Sequence, residues 1–226
     1  MSAGDAAVAI GFLENIQPGG PWVLTAIVPD GGTVTKSFTP SSVPALQSFI
    51  KSHDGQQNIY YSINEPKDLP TKKASKADML RARFLHVDID PRDDEASEAA
   101  KIRILATVEK FRPQPTAVVD SGNGIQLLFR LEQPVILDPV SISDIENRNF
   151  ALAVSFGCDP STRNVDRIFR LPGTTNLPNK KKRRIGRVPC ATAVRSFTGE
   201  SHALAAFPAF ASSKPAFDGT TGVRTN

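Results

Sequence analysis

The chain has 226 residues, with 27 Lys and Arg against 23 Asp and Glu, a formal net charge of +4, and 40% hydrophobic and 22% charged residues. These fractions exclude a disordered chain and allow one substantial core or two small ones, and the mild basic bias is compatible with a polyanionic partner. Cys158 and Cys190 are the two cysteines. No close Cys or His spacing surrounds them, which speaks against a disulfide framework and a zinc site and sets a reduced, cytoplasmic (bacterial) setting as the default. No apolar run is long enough to span a membrane, and the start Met-Ser-Ala-Gly-Asp lacks the basic residues of a signal peptide.

The periodicity predicts a first helix over about Ala6 to Ile16, with Val8, Phe12, Leu13 and Ile16 at helical spacing before Pro18-Gly19-Gly20-Pro21. Trp22 to Val28 and Thr33 to Phe38 read as a hairpin about the turn Pro29-Asp30-Gly31-Gly32. Pro44 opens a helix ending near His53-Asp54-Gly55, and Asn58 to Ile63 is a strand. Pro66 to Lys76 reads as an exposed lysine-rich connection. In Phe84 to Pro91, Leu85, Val87 and Ile89 alternate with His86, Asp88 and Asp90, so a strand period puts both aspartates on one face.

Beyond it, Asp93 or Asp94 is expected to cap a helix with Ala100, Ile104, Val108 and Phe111 inward and Glu98, Lys101 and Glu109 outside. Thr116 to Asp120 and Ile125 to Leu131 form a second hairpin about Ser121-Gly122-Asn123-Gly124, with Gln126 and Arg130 on its polar side. Asp138-Pro139 starts a helix with Ile142, Ile145, Leu152 and Phe156 inward, stopped by Gly157. A short amphipathic piece over 165–176, the basic run Lys180 to Arg184, a last core strand from Ile185 to Val194 and a flexible tail or linker over 208–226 complete the chain.

Two carboxylates on one strand face repel each other and are costly to desolvate unless a cation sits between them; the competing reading is a strand running out into a solvated turn. Hard divalent ions with oxygen ligands answer the first reading, and Mg²⁺ in particular binds through one or two carboxylates plus substrate phosphates. Three features call for one explanation: Asp88 with Asp90, the glycine turn with Gln126 behind it, and Asp159 upstream of an arginine-rich Leu-Pro-Gly-Thr segment. A two-metal nucleotidyl transferase needs carboxylates for the ions and backbone amides and cations for the triphosphate. Singly, each has a plain reading as hairpin turn, turn cap or solvated loop.

In this order the motifs resemble the archaeo-eukaryotic primase superfamily, specifically the primase-polymerase domains of phages, plasmids and other mobile elements. The matching pieces are Val87-Asp88-Ile89-Asp90, Ser121-Gly122-Asn123-Gly124-Ile125-Gln126, Cys158-Asp159 and Arg170-Leu171-Pro172-Gly173-Thr174-Thr175-Asn176. The resemblance implies an α/β (α+β) fold in which a mainly antiparallel, RNA-recognition-motif-like core, residues 81–207, packs with an N-terminal αβ part, residues 1–80. It implies Asp88, Asp90 and Asp159 as catalytic ligands of Mg²⁺ or Mn²⁺, and Ser121, Gly122, Asn123, Gly124, Gln126, Arg170 and Lys180 as the nucleotide-binding set. Asp166, seven residues after Asp159, is the alternative third acid. The departure is Gln126, where the family has histidine: an amide donates a hydrogen bond but carries no charge.

The implied activity is template-directed nucleotidyl transfer from nucleoside triphosphates on single-stranded DNA, with a replicative helicase or C-terminal helicase domain as a possible partner and no membrane. The alternative is a nucleotide- or DNA-binding module with little activity of its own. A phosphohydrolase using Asp88 as nucleophile leaves the hairpin and the Leu-Pro-Gly-Thr segment unexplained. A paired-histidine nicking enzyme is disfavoured because His53, His86 and His202 are far apart in the sequence.

Overall fold

A computed structural model describes residues 5–210. The segment 211–226, most of the expected tail, lies outside the described residues.

Helix α1 (Ala6–Ile16) starts where the Asp5 carboxylate accepts hydrogen bonds from the amides of Ala7 and Val8. Strands β1 (Trp22–Ile27) and β2 (Thr33–Phe38) form the predicted hairpin, with Trp22 opposite Phe38 and Ile27 opposite Thr33. Helix α2 (Val43–His53) leads to β3 (Asn58–Ser62), which pairs antiparallel to β1. The fourth strand of this sheet, β8 (Ile168–Arg170), comes from far along the chain and places Arg170 opposite Tyr60.

The second sheet runs in the order β11 (Ala193–Phe197), β6 (Ala117–Asp120), β7 (Ile125–Ile136), β5 (Met79–Ile89), β4 (Glu65–Pro66), with β12 (Ser201–His202) parallel to β7. Helix α3 (Ser97–Lys110) lies between β5 and β6 in the chain, and α4 (Pro139–Ser155) follows β7. This β-α-β-β-α run, with β7 between β5 and β6, is the succession expected of an RNA-recognition-motif-like core. The next strand, β8, leaves that sheet for the first one. The outer edge of β5 is then closed by side chains: Asn64 Oδ1 accepts from the amides of Arg83 and Phe84, and Asn149 Oδ1 from that of His86. Each would otherwise be a buried, unpaired donor.

Two apolar clusters flank the second sheet. Phe84, Ala117, Val119 and Leu128 share one cluster with α1, α2 and the first sheet. Leu85, Val87, Ile89, Leu127 and Phe129 face the other way, against α3 and α4. The strand alternation of β5 and β7 therefore serves two cores at once.

Four local expectations need correction. Ala96, not Asp93 or Asp94, is the α3 N-cap; Asp94 adopts a left-handed φ of 61°, and the adjacent Glu95 carboxylate is taken by the Arg92 amide and the Arg103 guanidinium. Lys101 is buried rather than outside, because it stands one helical turn before Ile104, beside the apolar stripe, and pairs with Asp120 at 3.1 Å. The basic run forms a short helix, α5 (Lys180–Arg184), capped by Asn179. The last strand is displaced: Ile185 is exposed, and pairing begins only with the two-residue β10 (Cys190–Ala191) against β9 (Thr175–Asn176) and then β11.

Candidate active site

β5 delivers Asp88 directly opposite Gln126 of β7, and Asp90 follows just past the strand end. Both oxygens of the part-buried Asp88 are engaged: Gln126 Nε2 donates to Oδ1 at 3.2 Å and Arg167 Nη2 to Oδ2 at 3.0 Å. Burial and then the neighbouring Asp90 charge raise the Asp88 pKa, while Arg167 and Gln126 pull it back. Two residues before it on β5, His86 is held by Thr162 and Asn149, and burial pushes its imidazole down to about 4.

Asp88, Asp90, Ser121, Asn123, Gln126 and Arg170 line one cleft. Tyr60, Arg167, Ile168, Asn176 and Lys182 complete it. Of the expected site residues, Asp159, Lys180, Gly122 and Gly124 are not part of the lining. Asp159 is exposed and caps the turn Pro160–Thr162 through the amide and hydroxyl of Ser161, at 2.9 and 2.6 Å. Asp166 accepts from Asn164 at 2.7 Å and lies 3.8 Å from Lys73. The Lys180 amide is tied to Asp30, and two residues on, across the same turn of α5, Lys182 lines the cleft instead.

The glycine hairpin is built differently from the sequence expectation. Its amides are used within the protein: Ser121 N donates to Gly124 O, Gly122 N to Asp120 Oδ1 and Gly124 N to Ser121 Oγ. The glycines are there for closeness. A Cβ on Gly122, at φ 97°, would meet Cys190 Sγ at 2.6 Å, and one on Gly124 would land on the Ile89 carbonyl oxygen. Asn176 Nδ2 clamps the Ser121 carbonyl at 2.6 Å. Beneath the turn, Asp120 is neutralised by Lys101 at 3.1 Å and Arg195 at 2.5 Å. Burial works against the Lys101 charge, but its hydrogen bonds to Glu98 and Asp120 prevail and raise its pKa. Nothing in the local pattern of the sequence signalled this Lys101–Asp120–Arg195 network.

What the cleft offers a ligand is side-chain donors. Asn123 Nδ2, Arg167 Nε and Arg170 Nη1 are buried and have no partner within the protein. The Arg170 guanidinium lies 4.5 Å from the centre of the Tyr60 ring, and burial lowers its pKa. Buried cationic and amide donors without acceptors are costly, and an oxyanion such as a phosphate group answers all three. Gln126 Oε1 is an unpartnered acceptor lining the same cleft as the two carboxylates. Two carboxylates and an amide oxygen form a hard-oxygen donor set that suits Mg²⁺ or Mn²⁺. Among the described residues no three His, Cys, Asp or Glu side chains are grouped to hold a metal ion, so the protein shows two acids for a cation and no assembled third.

Strand order, helix placement and cleft together can be compared with solved structures. The AEP domain of the cyanophage S-2L primase-polymerase matches with a TM-score of 0.61 at 18% identity, over 92% of this chain and 100% of that one. This chain has the primase-polymerase fold. Primase RepB′ shares it at a TM-score of 0.58 and 15% identity, over 89% of this chain and 59% of that longer one. The catalytic domain of RepB′ in complex with initiator DNA gives 0.55 and 16%, over 89% of each chain. No family model and no curated protein matches the sequence. Within the primase-polymerase fold, the motif residues Asp88, Asp90, Ser121, Gln126 and Arg170 are far apart in sequence, yet they converge on one cleft.

Proposed function

We propose that the chain is a DNA primase-polymerase that joins nucleotides on a single-stranded DNA template to prime replication of a phage, plasmid or other mobile element. The observation that supports this most is the cleft itself, in which paired acids and unpartnered donors for phosphate line one space. Asp88 and Asp90, with Asp159 or Asp166 as a third ligand after rearrangement, would hold Mg²⁺ or Mn²⁺. When bound, the cation supplies charge stabilisation to the attacking and leaving oxygens of an in-line displacement. Arg170, Asn123 and Lys182 orient the triphosphate, so that a 3′-hydroxyl meets the α-phosphorus and pyrophosphate departs. The Asp120 network keeps the hairpin rigid while this happens.

A bacterial cytoplasmic setting and a helicase partner belong to the same proposal. No helix among the described residues is long and apolar enough to cross a membrane. A second reading, a nucleotide-binding module with little activity of its own, is favoured by one observation: Gln126 supplies a neutral amide to Asp88 where the resembling family has histidine. Extension of a supplied primer, followed by pyrophosphate release with and without Mn²⁺, separates the two. Extension in step with pyrophosphate supports the polymerase; metal-dependent nucleotide binding without extension supports the module.

A further inference from the structure

Arg167 lines the cleft and touches one of the paired acids, yet the motif resemblance assigns it no role. Its backbone is fixed, with its amide bonded to the Asn164 carbonyl and its own carbonyl accepting from Ile63 at the end of β3. Its side chain reaches from there to Asp88 Oδ2 at 3.0 Å, and Nε remains without a partner. With Gln126 on the other oxygen, each Asp88 oxygen already carries one hydrogen bond, and the charge facing the carboxylate is that of Arg167. The guanidinium thus sits where a divalent ion bound to Asp88 would place its charge, while lining the same cleft as the phosphate donors Asn123 and Arg170.

We propose that Arg167 is a resident counter-ion of Asp88: it neutralises the carboxylate in the empty enzyme, is displaced by the divalent cation and then engages the triphosphate. This rests on the metal-site reading above. The physical logic is one of exchange. A guanidinium–carboxylate bond is a strong charge-assisted contact, so a metal binding alone must break it and gains little. When a triphosphate arrives with the metal, the freed guanidinium finds a second anion, and the loss is recovered. Arg167 therefore opposes metal alone and favours metal with nucleotide, which couples the two binding events. A backbone held by two hydrogen bonds and a long side chain with an unpartnered Nε suit such a switch between two acceptors.

Calorimetric titration of the full chain with Mn²⁺ alone, and with Mn²⁺ plus a non-hydrolysable nucleoside triphosphate, tests this on wild type, Arg167→Gln and Arg167→Lys. The expected result is a crossover. Arg167→Gln binds Mn²⁺ alone about tenfold more tightly, but binds the nucleotide with Mn²⁺ about tenfold more weakly. Arg167→Lys, which keeps the charge but not the planar fork, falls between. General damage to the fold weakens both and cannot produce opposite signs. Mn²⁺ affinity that is equal or lower in Arg167→Gln overturns the counter-ion role while leaving the metal site standing. Absence of Mn²⁺ binding in every protein, with nucleotide binding intact, overturns the metal site and the counter-ion together.

Discussion

At the scale of single residues, the chemistry of the cleft depends on which charges are already compensated. Asp120 is 5% exposed in its side chain and Lys101 is 9%, and they neutralise each other beneath the hairpin. Asp120→Asn keeps the shape and an acceptor for the Gly122 amide but leaves the lysine without its buried partner. A loss of about 3 kcal/mol is expected for a broken buried pair, read as a lower urea midpoint, together with weaker nucleotide binding as the hairpin loosens. Glu95 behaves differently because it is close to solvent. Hydrogen bonds from Arg103 and from the Arg92 amide hold its carboxyl down to about 2. A depressed carboxyl pKa stabilises the fold above the unfolded-state value, and the contribution fades as pH falls through the folded one. The stability gap between wild type and Glu95→Gln should therefore be full at neutral pH and shrink between about pH 4.5 and pH 2. Urea titrations at pH 7 and pH 3 check this, and a gap independent of pH contradicts it.

At the scale of elements, close packing between the ends of β5 and β7 sets the distance between acids and hairpin. Gly124→Ala drives a methyl into the Ile89 carbonyl, between Asp88 and Asp90, where only backbone could yield. The expected outcome is a folded but destabilised protein, by about 1–3 kcal/mol, with nucleotide incorporation down by about a hundredfold because the carboxylates shift. Wild-type incorporation in a folded Gly124→Ala protein contradicts this view of the hairpin. The same strands show what local pattern reveals. The alternation of Leu85, Val87 and Ile89 with Asp88 was enough to place the acids on one face, and Asp5 to Ile16 and Asp138 to Ser155 follow helical spacing and capping closely. The pairing of β8 with β3 was not legible, because it joins residues more than a hundred positions apart, and with it went the approach of Tyr60 to Arg170 and of Arg167 to Asp88. Lys101 was misjudged because a lysine beside an apolar stripe reads as solvated until its buried partner is known. The amides of the glycine turn were expected to serve the ligand, but three of them close the turn itself.

At the scale of the whole molecule, one strand exchange makes the site. β8 crosses from the second sheet's succession into the first sheet, carrying Arg170 and, just before it, Arg167 to the mouth of β5. The cleft thus takes its acids from the end of β5 in one sheet and two of its cations, Arg170 on β8 and Arg167 just before it, from the other, with Lys182 added by α5, and the apolar cluster shared by α1, α2 and both sheets holds the two sheets in register. Such a division suits a reaction in which a metal-bound triphosphate bridges the two sheets. The central claim is that Asp88 and Asp90 carry that chemistry. Incorporation of labelled nucleotide on single-stranded DNA with Mn²⁺, compared among wild type, Asp88→Ala and Asp90→Ala, tests it most directly. The account predicts incorporation by the wild type and a loss of about a thousandfold in each variant with the fold retained; incorporation undiminished in both variants would contradict it.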